Sequence, residues 1–169
     1  GNVYLAGFMG TGKSSVGKRL ARRLGRPFVD ADAAIERRAR LPVHAIFARR
    51  GERAFRALEA RVVSNLAARR GIVAALGGGA LLTSANRRAL EKSGTILALT
   101  CSDSELWRRL KRQLRSRPLL KGGFAVFKAL RRRRKEFDRR AALRLSTTRL
   151  STAQAALVAE RLLKRRGLA

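Results

Sequence analysis

Residues 7–14, GFMGTGKS, constrain this chain more than any other stretch. They fit the pattern G-x-x-x-x-G-K-[ST], a glycine-rich turn that delivers a lysine and a hydroxyl to the start of a helix. With 15 Gly, 8 Lys and 17 Ser plus Thr among 169 residues, chance would produce the pattern about 0.006 times per chain. The flanks agree with it. Residues 3–6 form a short apolar run of strand character, and Lys13–Leu24 repeats Val16, Leu20 and Leu24 at helical spacing. Strand, turn and helix together make a phosphate-binding loop. Its glycines let backbone N–H groups close around phosphates, Lys13 reaches the β- and γ-phosphates, Ser14 offers its hydroxyl to Mg²⁺, and the helix dipole adds attraction.

Such a loop requires a parallel sheet around it, and the remaining sequence has that rhythm. Short apolar runs alternate with longer amphipathic stretches, as βα units do. Strands are expected at residues 3–6, 27–29, 72–76, 95–99 and 143–146. Helices are expected at Lys13–Leu24, at 52–68 with Phe55, Leu58, Val62 and Leu66 in phase, and from a cap at Ser151 to about Arg166. The expectation is one α/β domain over residues 1–169, a P-loop three-layer sandwich around a five-stranded parallel sheet. Residues 115–124, with Pro118, Gly122 and Gly123, read as its mobile part.

The chain carries 40 Lys plus Arg against 11 Asp plus Glu, a formal net charge of +29, while 46% hydrophobic residues argue against disorder. Residues 108–140 hold 15 bases and 2 acids. Such a field retains polyanions nonspecifically and releases them as salt rises; solvated guanidinium groups on helix surfaces are the other account of it. With 7 Phe, 1 Trp and 1 Tyr in all, the bases have no aromatic stacking platform beside them, so nucleic acid is expected only as nonspecific, salt-sensitive adhesion. No apolar run is long enough to span a bilayer. Residues 2–7 read as strand rather than leader, and the single Cys101 suits a reducing compartment, so a cytoplasmic setting is expected.

Five of the eleven acids, Asp30, Asp32, Glu36, Glu52 and Glu59, fall within thirty residues. The run at 72–76 ends in three glycines with no acid, so a metal's carboxylate must come from elsewhere. Asp30 and Asp32 follow the strand after the P-loop helix, and strand alternation would place both on one side at the carboxyl edge where α/β sheets bind ligands. Asp30 could orient Mg²⁺ through water, and Asp32 could accept a hydroxyl proton. The alternative is that one of them merely caps the helix at 33–39.

The segments GFMGTGKSSVG, FVDADAAIE, GERAFRALE, GGGA and RPLL, in this order and spacing, resemble the shikimate kinase family over nearly the whole chain. The resemblance implies a fold like the nucleoside monophosphate kinases, with a substrate-binding segment at about 31–61 and a lid at about 112–124. It implies transfer of the γ-phosphoryl group of MgATP to the 3-hydroxyl of shikimate, a step toward chorismate and the aromatic amino acids. ATP and Mg²⁺ would be the cofactors, and a monomer is expected. Gly10, Thr11, Gly12, Lys13, Ser14, Ser15 and Arg117 would bind ATP, and Ser14 and Asp30 would face the metal. Asp32, Arg56, Gly78 and Arg133 would hold shikimate, with Lys13, Asp32 and Arg117 catalytic. A planar five-donor cation such as Arg56 suits a substrate carboxylate.

The family usually follows its second substrate arginine with Pro and, four residues on, Tyr; this chain reads Arg133, Arg134, Lys135, Glu136, Phe137. Spacing back from Phe137 selects Arg133, with Arg134 as the alternative. The adenine-stacking place falls on Arg108 or Arg109 if the stretch before Arg117 carries one extra residue. His44 reads as a surface or capping residue, and Cys101 and Trp107 as packing residues. Two other functions compete with the leading one. A P-loop kinase of another polyol acid, such as gluconate, would also use arginines and a base, and a noncatalytic module would keep the fold to bind a ligand or nucleic acid.

Overall fold

The computed structural model describes residues 1–111, 122–141 and 143–168, and within 133–140 the backbone alone. The expected lid therefore lies outside the described residues except at 122–124. All five expected strands form, as β1 (Asn2–Ala6), β2 (Phe28–Asp30), β3 (Val73–Ala75), β4 (Gly94–Thr100) and β5 (Leu143–Ser146). They hydrogen-bond in the order β2-β3-β1-β4-β5, and every pairing is parallel. The helices are α1 (Lys13–Leu24), α2 (Ala31–Ala39), α3 (Val43–Ala67), α4 (Ser84–Ser93), α5 (Asp103–Leu110), α6 (Gly123–Arg140) and α7 (Thr152–Arg165).

The central strand shows how the layers arise. All five residues of β1 are buried, as expected for a parallel strand covered on both faces. Alternation sends Tyr4 and Ala6 into a core shared with α2, α3 and α4, and Val3 and Leu5 into a core shared with α1 and α7. A third cluster, Phe8, Cys101, Leu106, Leu110 and Phe127, fastens α5 and α6 to the loop after β1. Trp107 packs against Phe124 and Phe127 with ring centroids 5.2 and 5.5 Å away, so it and Cys101 are packing residues as expected.

Local chemistry sets the helix ends that matter for the cleft. Ser151 caps α7 in a reciprocal box, its Oγ accepting from Gln154 N at 3.2 Å while Gln154 Oε1 accepts from Ser151 N at 2.8 Å. The helix expected over 52–68 is the second limb of α3, which begins at Val43 and breaks at Gly51, where φ is 75° and ψ 172°. Across the break Phe47 and Phe55 lie 4.5 Å apart, joining the two limbs.

Candidate active site

The loop between β1 and α1 enters the helix through Gly10 and Gly12, whose φ values of 82° and 94° lie where a side chain would be strained. No side chain caps α1, so its first N–H groups are left for a ligand. Lys13 Nζ donates to the carbonyls of Gly7 at 2.9 Å and Phe8 at 3.1 Å, which holds the ammonium across the loop. Thr11 is fully buried and its hydroxyl donates back to Phe8 O at 2.8 Å; it shapes the loop from within.

Outside fasteners complete the loop. Thr147, in the turn after β5, donates through Oγ1 to Thr11 O at 3.0 Å. Arg109 donates to Gly10 O at 3.2 Å and Thr147 O at 3.0 Å, and is steadied by Glu105 at 2.7 Å. Hydrogen bonds from Arg108 and Arg109 lower the Glu105 carboxyl to about 2. Of the two candidates for an adenine-stacking arginine, Arg109 is thus committed to the loop, while Arg108 is the more exposed. These links cross up to 136 positions of sequence, and no local pattern announces them.

At the end of β2, Asp30 does two jobs. Its Oδ2 accepts the Ser14 hydroxyl at 2.6 Å, and its Oδ1 accepts the N–H groups of Asp32 at 3.1 Å and Ala33 at 3.2 Å, capping α2. The residue that caps α2 is therefore also the one that takes the Ser14 hydroxyl. Strand alternation does not explain its partner, because β2 stops at Asp30 and α2 starts at Ala31 rather than at residue 33. Asp32 reaches the cleft from the first turn of that helix.

Asp32 opens onto the cleft, yet its carboxyl lies against the glycine triplet, where a Cβ on Gly77 would stand 2.6 Å from Oδ1. Desolvation raises its pKa above the usual carboxylate value, the charge of Asp30 raises it further, Lys13 opposes this, and Glu59 and Glu36 add to the rise. Arg56 lies along the same wall, its NH1 donating to Glu59 Oε2 at 2.7 Å and its NH2 to Glu52 Oε1 at 3.2 Å. Burial works to lower the Arg56 pKa, but the hydrogen bond and charge of Glu59, with those of Glu52, outweigh it and the net shift is upward. The guanidinium presses on Gly79, where any Cβ would collide with it.

Glu59 was legible only as one acid among five. It is 2% exposed, and its Oε1 has no hydrogen-bond partner among the described residues. Its position three residues after Arg56 on one helix was the available clue. Gly78 stands exposed between its two close-packed neighbours, and His44 is exposed in the cleft wall. One cleft of about 1070 Å³ thus gathers residues 10–15, Asp30, Asp32, Arg56, Glu59 and Gly78. Arg117 and the Arg133 side chain lie outside the described residues. So does the Arg134 side chain. Arg131, first of the same run, is buried, donating to Asp103 Oδ1 at 2.9 Å and Cys101 O at 3.2 Å.

A family model described as shikimate kinase matches residues 9–165. The chain belongs to the shikimate kinase family. Among curated relatives, the shikimate kinase of Desulforudis audaxviator (strain MP104C) is 49% identical over 121 residues, covering 72% of this chain and 64% of that one. The shikimate kinase of Symbiobacterium thermophilum (strain DSM 24528 / JCM 14929 / IAM 14863 / T) is 44% identical over 154 residues, covering 89% and 88%. The match therefore spans just under two thirds of the first relative's length and most of the second's. Among solved structures, shikimate kinase from Acinetobacter baumannii in complex with shikimate superposes with a TM-score of 0.92 at 33% identity, covering 99% of this chain and 95% of that one. The expected fold, a five-stranded parallel α/β sandwich with a P-loop, is thus the fold of this shikimate kinase family member. Among the described residues no helix is long and apolar enough to cross a membrane.

Proposed function

We propose that this chain transfers the γ-phosphoryl group of MgATP to the 3-hydroxyl of shikimate. The observation that carries the reading is the gathering, in one cleft, of the P-loop lysine with Asp32 and an acid-braced Arg56. Residues 10–15 hold the nucleotide, Arg56 receives the substrate carboxylate, and the exposed Gly78 lets backbone approach the ring. Asp32 takes the proton of the 3-hydroxyl; that oxygen forms a bond to the γ-phosphorus as the bridge to the β-phosphate breaks, and ADP leaves with the bond's electron pair. Lys13 stabilises the charge that builds on the transferring group.

Ser14 and Asp30 fit Mg²⁺, which takes one or two protein oxygens and keeps water and phosphate for the rest. Bound there, the ion would neutralise phosphate charge. Arg117 as lid arginine and Arg133 as second carboxylate ligand come from the resemblance, as do the substrate-binding segment at about 31–61 and the lid at about 112–124. The single Cys101 suits a reducing compartment, and we read the protein as a cytoplasmic monomer. Its +29 charge adds nonspecific, salt-sensitive adhesion to nucleic acid.

The test is an ADP-release assay against shikimate, gluconate and nucleoside monophosphates. Turnover with shikimate alone is expected; turnover with gluconate but not shikimate would overturn the reading. A second expectation concerns the Arg56 seat. Gly79→Ala forces the guanidinium off its wall, and a displacement of that size costs on the order of 10- to 100-fold in kcat/KM for the acceptor. KM for ATP should hold, as initial rates with each substrate varied will show.

A further inference from the structure

We propose that the α1/α7 face is a docking surface for the phosphate backbone of duplex nucleic acid, placed so that the cleft stays open while the duplex is bound. The inference rests on the adhesion reading above and assigns it a location. Helices α1 and α7 pack together over Leu20, Ala21, Ala155, Ala159 and Leu163. They carry eight bases and one acid, whereas α2, α3 and α4 on the other face carry ten bases and five acids.

The single acid does not dilute the face. Glu160 is 7% exposed, lies at the seam, and is paired with Arg23 from α1 and with Lys164 at 2.8 Å from its own helix. Lys18, Arg19 and Arg22 on α1, and Arg161 and Arg165 on α7, are exposed with no acceptor among the described residues. Each set forms a row with bases about one helical turn apart, roughly 5–6 Å. Two rows of unpaired positive charge suit a duplex, whose backbone is a dense line of negative charge, one per ~3.4 Å along each strand. A lipid surface fits less well. Val158, 37% exposed, is the one large apolar residue standing out from these helices among the described residues, too little apolar surface to enter a headgroup layer.

Position separates this face from the phosphate-binding cleft. Both helices follow parallel strands and leave the carboxyl edge of the sheet, where Lys13 and Ala155 line the cleft. The free bases lie in their later turns, toward the opposite edge. Helix α6 is also basic, but it packs through Phe127 against Phe8 beside the P-loop, so a polyanion held there would compete with nucleotide.

The experiment measures anisotropy of a short fluorescent duplex over a range of salt, with and without saturating MgATP and shikimate. One variant combines Lys18→Gln, Arg19→Gln, Arg22→Gln and Arg161→Gln. A charge-matched control combines Arg37→Gln, Arg38→Gln, Arg61→Gln and Arg88→Gln, all exposed on α2, α3 and α4. The first should lose at least about tenfold in affinity, with its salt slope reduced by about three, while the control loses far less. Circular dichroism confirms that both are folded. Equal losses in the two variants, displacement by MgATP, or tighter binding to phosphatidylserine vesicles than to duplex would each overturn the assignment. A wild-type chain that binds no duplex even at low salt would sink the adhesion reading as well.

Discussion

Lys13→Ala abolishes phosphoryl transfer and leaves the fold standing. Lys13 is the first residue of α1, and its ammonium lies across the loop carbonyls of Gly7 and Phe8. Its ammonium thus stands at the mouth of the loop that would hold the phosphates. Removing one such preorganised donor costs ~10²- to 10³-fold in kcat at the least. Alanine is the best helix former, so α1 keeps its first turn. Steady-state turnover and circular dichroism, measured on one preparation, check both halves. A folded variant with wild-type turnover would remove the P-loop from the mechanism.

Asp32→Asn separates chemistry from stability. If Asp32 takes the hydroxyl proton, kcat falls ~10²- to 10⁴-fold even at saturating shikimate. The same substitution should make the protein harder to melt at neutral pH. Desolvation, joined by Asp30, Glu59 and Glu36, raises the folded carboxyl above its ordinary value of 3.8. A carboxyl raised in the folded state favours folding below its unfolded pKa, and that stability is lost as pH rises through the folded pKa. Above that window the wild type carries an ill-placed charge that Asn lacks. The gain in Tm is therefore expected at pH 7 and should vanish below about pH 3.8. Arg56→Lys behaves differently, since Lys keeps the charge but loses the paired geometry toward a carboxylate. It raises KM for shikimate first, and any loss of kcat means that the anchor also positions the hydroxyl. Retained kcat in Asp32→Asn, or weakened ATP with shikimate spared in Arg56→Lys, would place the acceptor site on other residues.

What the sequence reveals here follows the range of the interactions. The P-loop, the five strands and the Ser151 cap are visible because each is encoded within a few residues by glycine placement, β-branched runs or a hydroxyl before an apolar period. The helical pattern after Pro42 is legible, but its joining to the 52–68 helix is not, since that depends on the break at Gly51 and on Phe47 packing against Phe55 across it. Strand alternation predicts Asp32 on the same side as Asp30, but β2 ends at Asp30 and it is the first turn of α2 that carries Asp32 to the cleft. The resemblance pointed to Gly78, while the tight approaches are made by Gly77 under Asp32 and Gly79 under Arg56, contacts that exist only once α2, α3 and the turn after β3 have met.

The Thr147 fastening bears on how the protein is made. The phosphate-binding loop precedes Thr147 by well over a hundred residues, yet the hydroxyl that supports Thr11 O and the carbonyl that receives Arg109 both belong to Thr147. The strand feeding the loop, β1, pairs only with strands that begin at Val73 and Gly94. A nascent chain therefore carries its most recognisable segment without the parts that hold it in shape until Thr147 has followed. Contacts of such long separation form slowly, because the loops they close must be ordered first. The loop is therefore among the last parts to be completed, and of the two faces of β1 it is the Val3 and Leu5 face that waits for α7 to cover it.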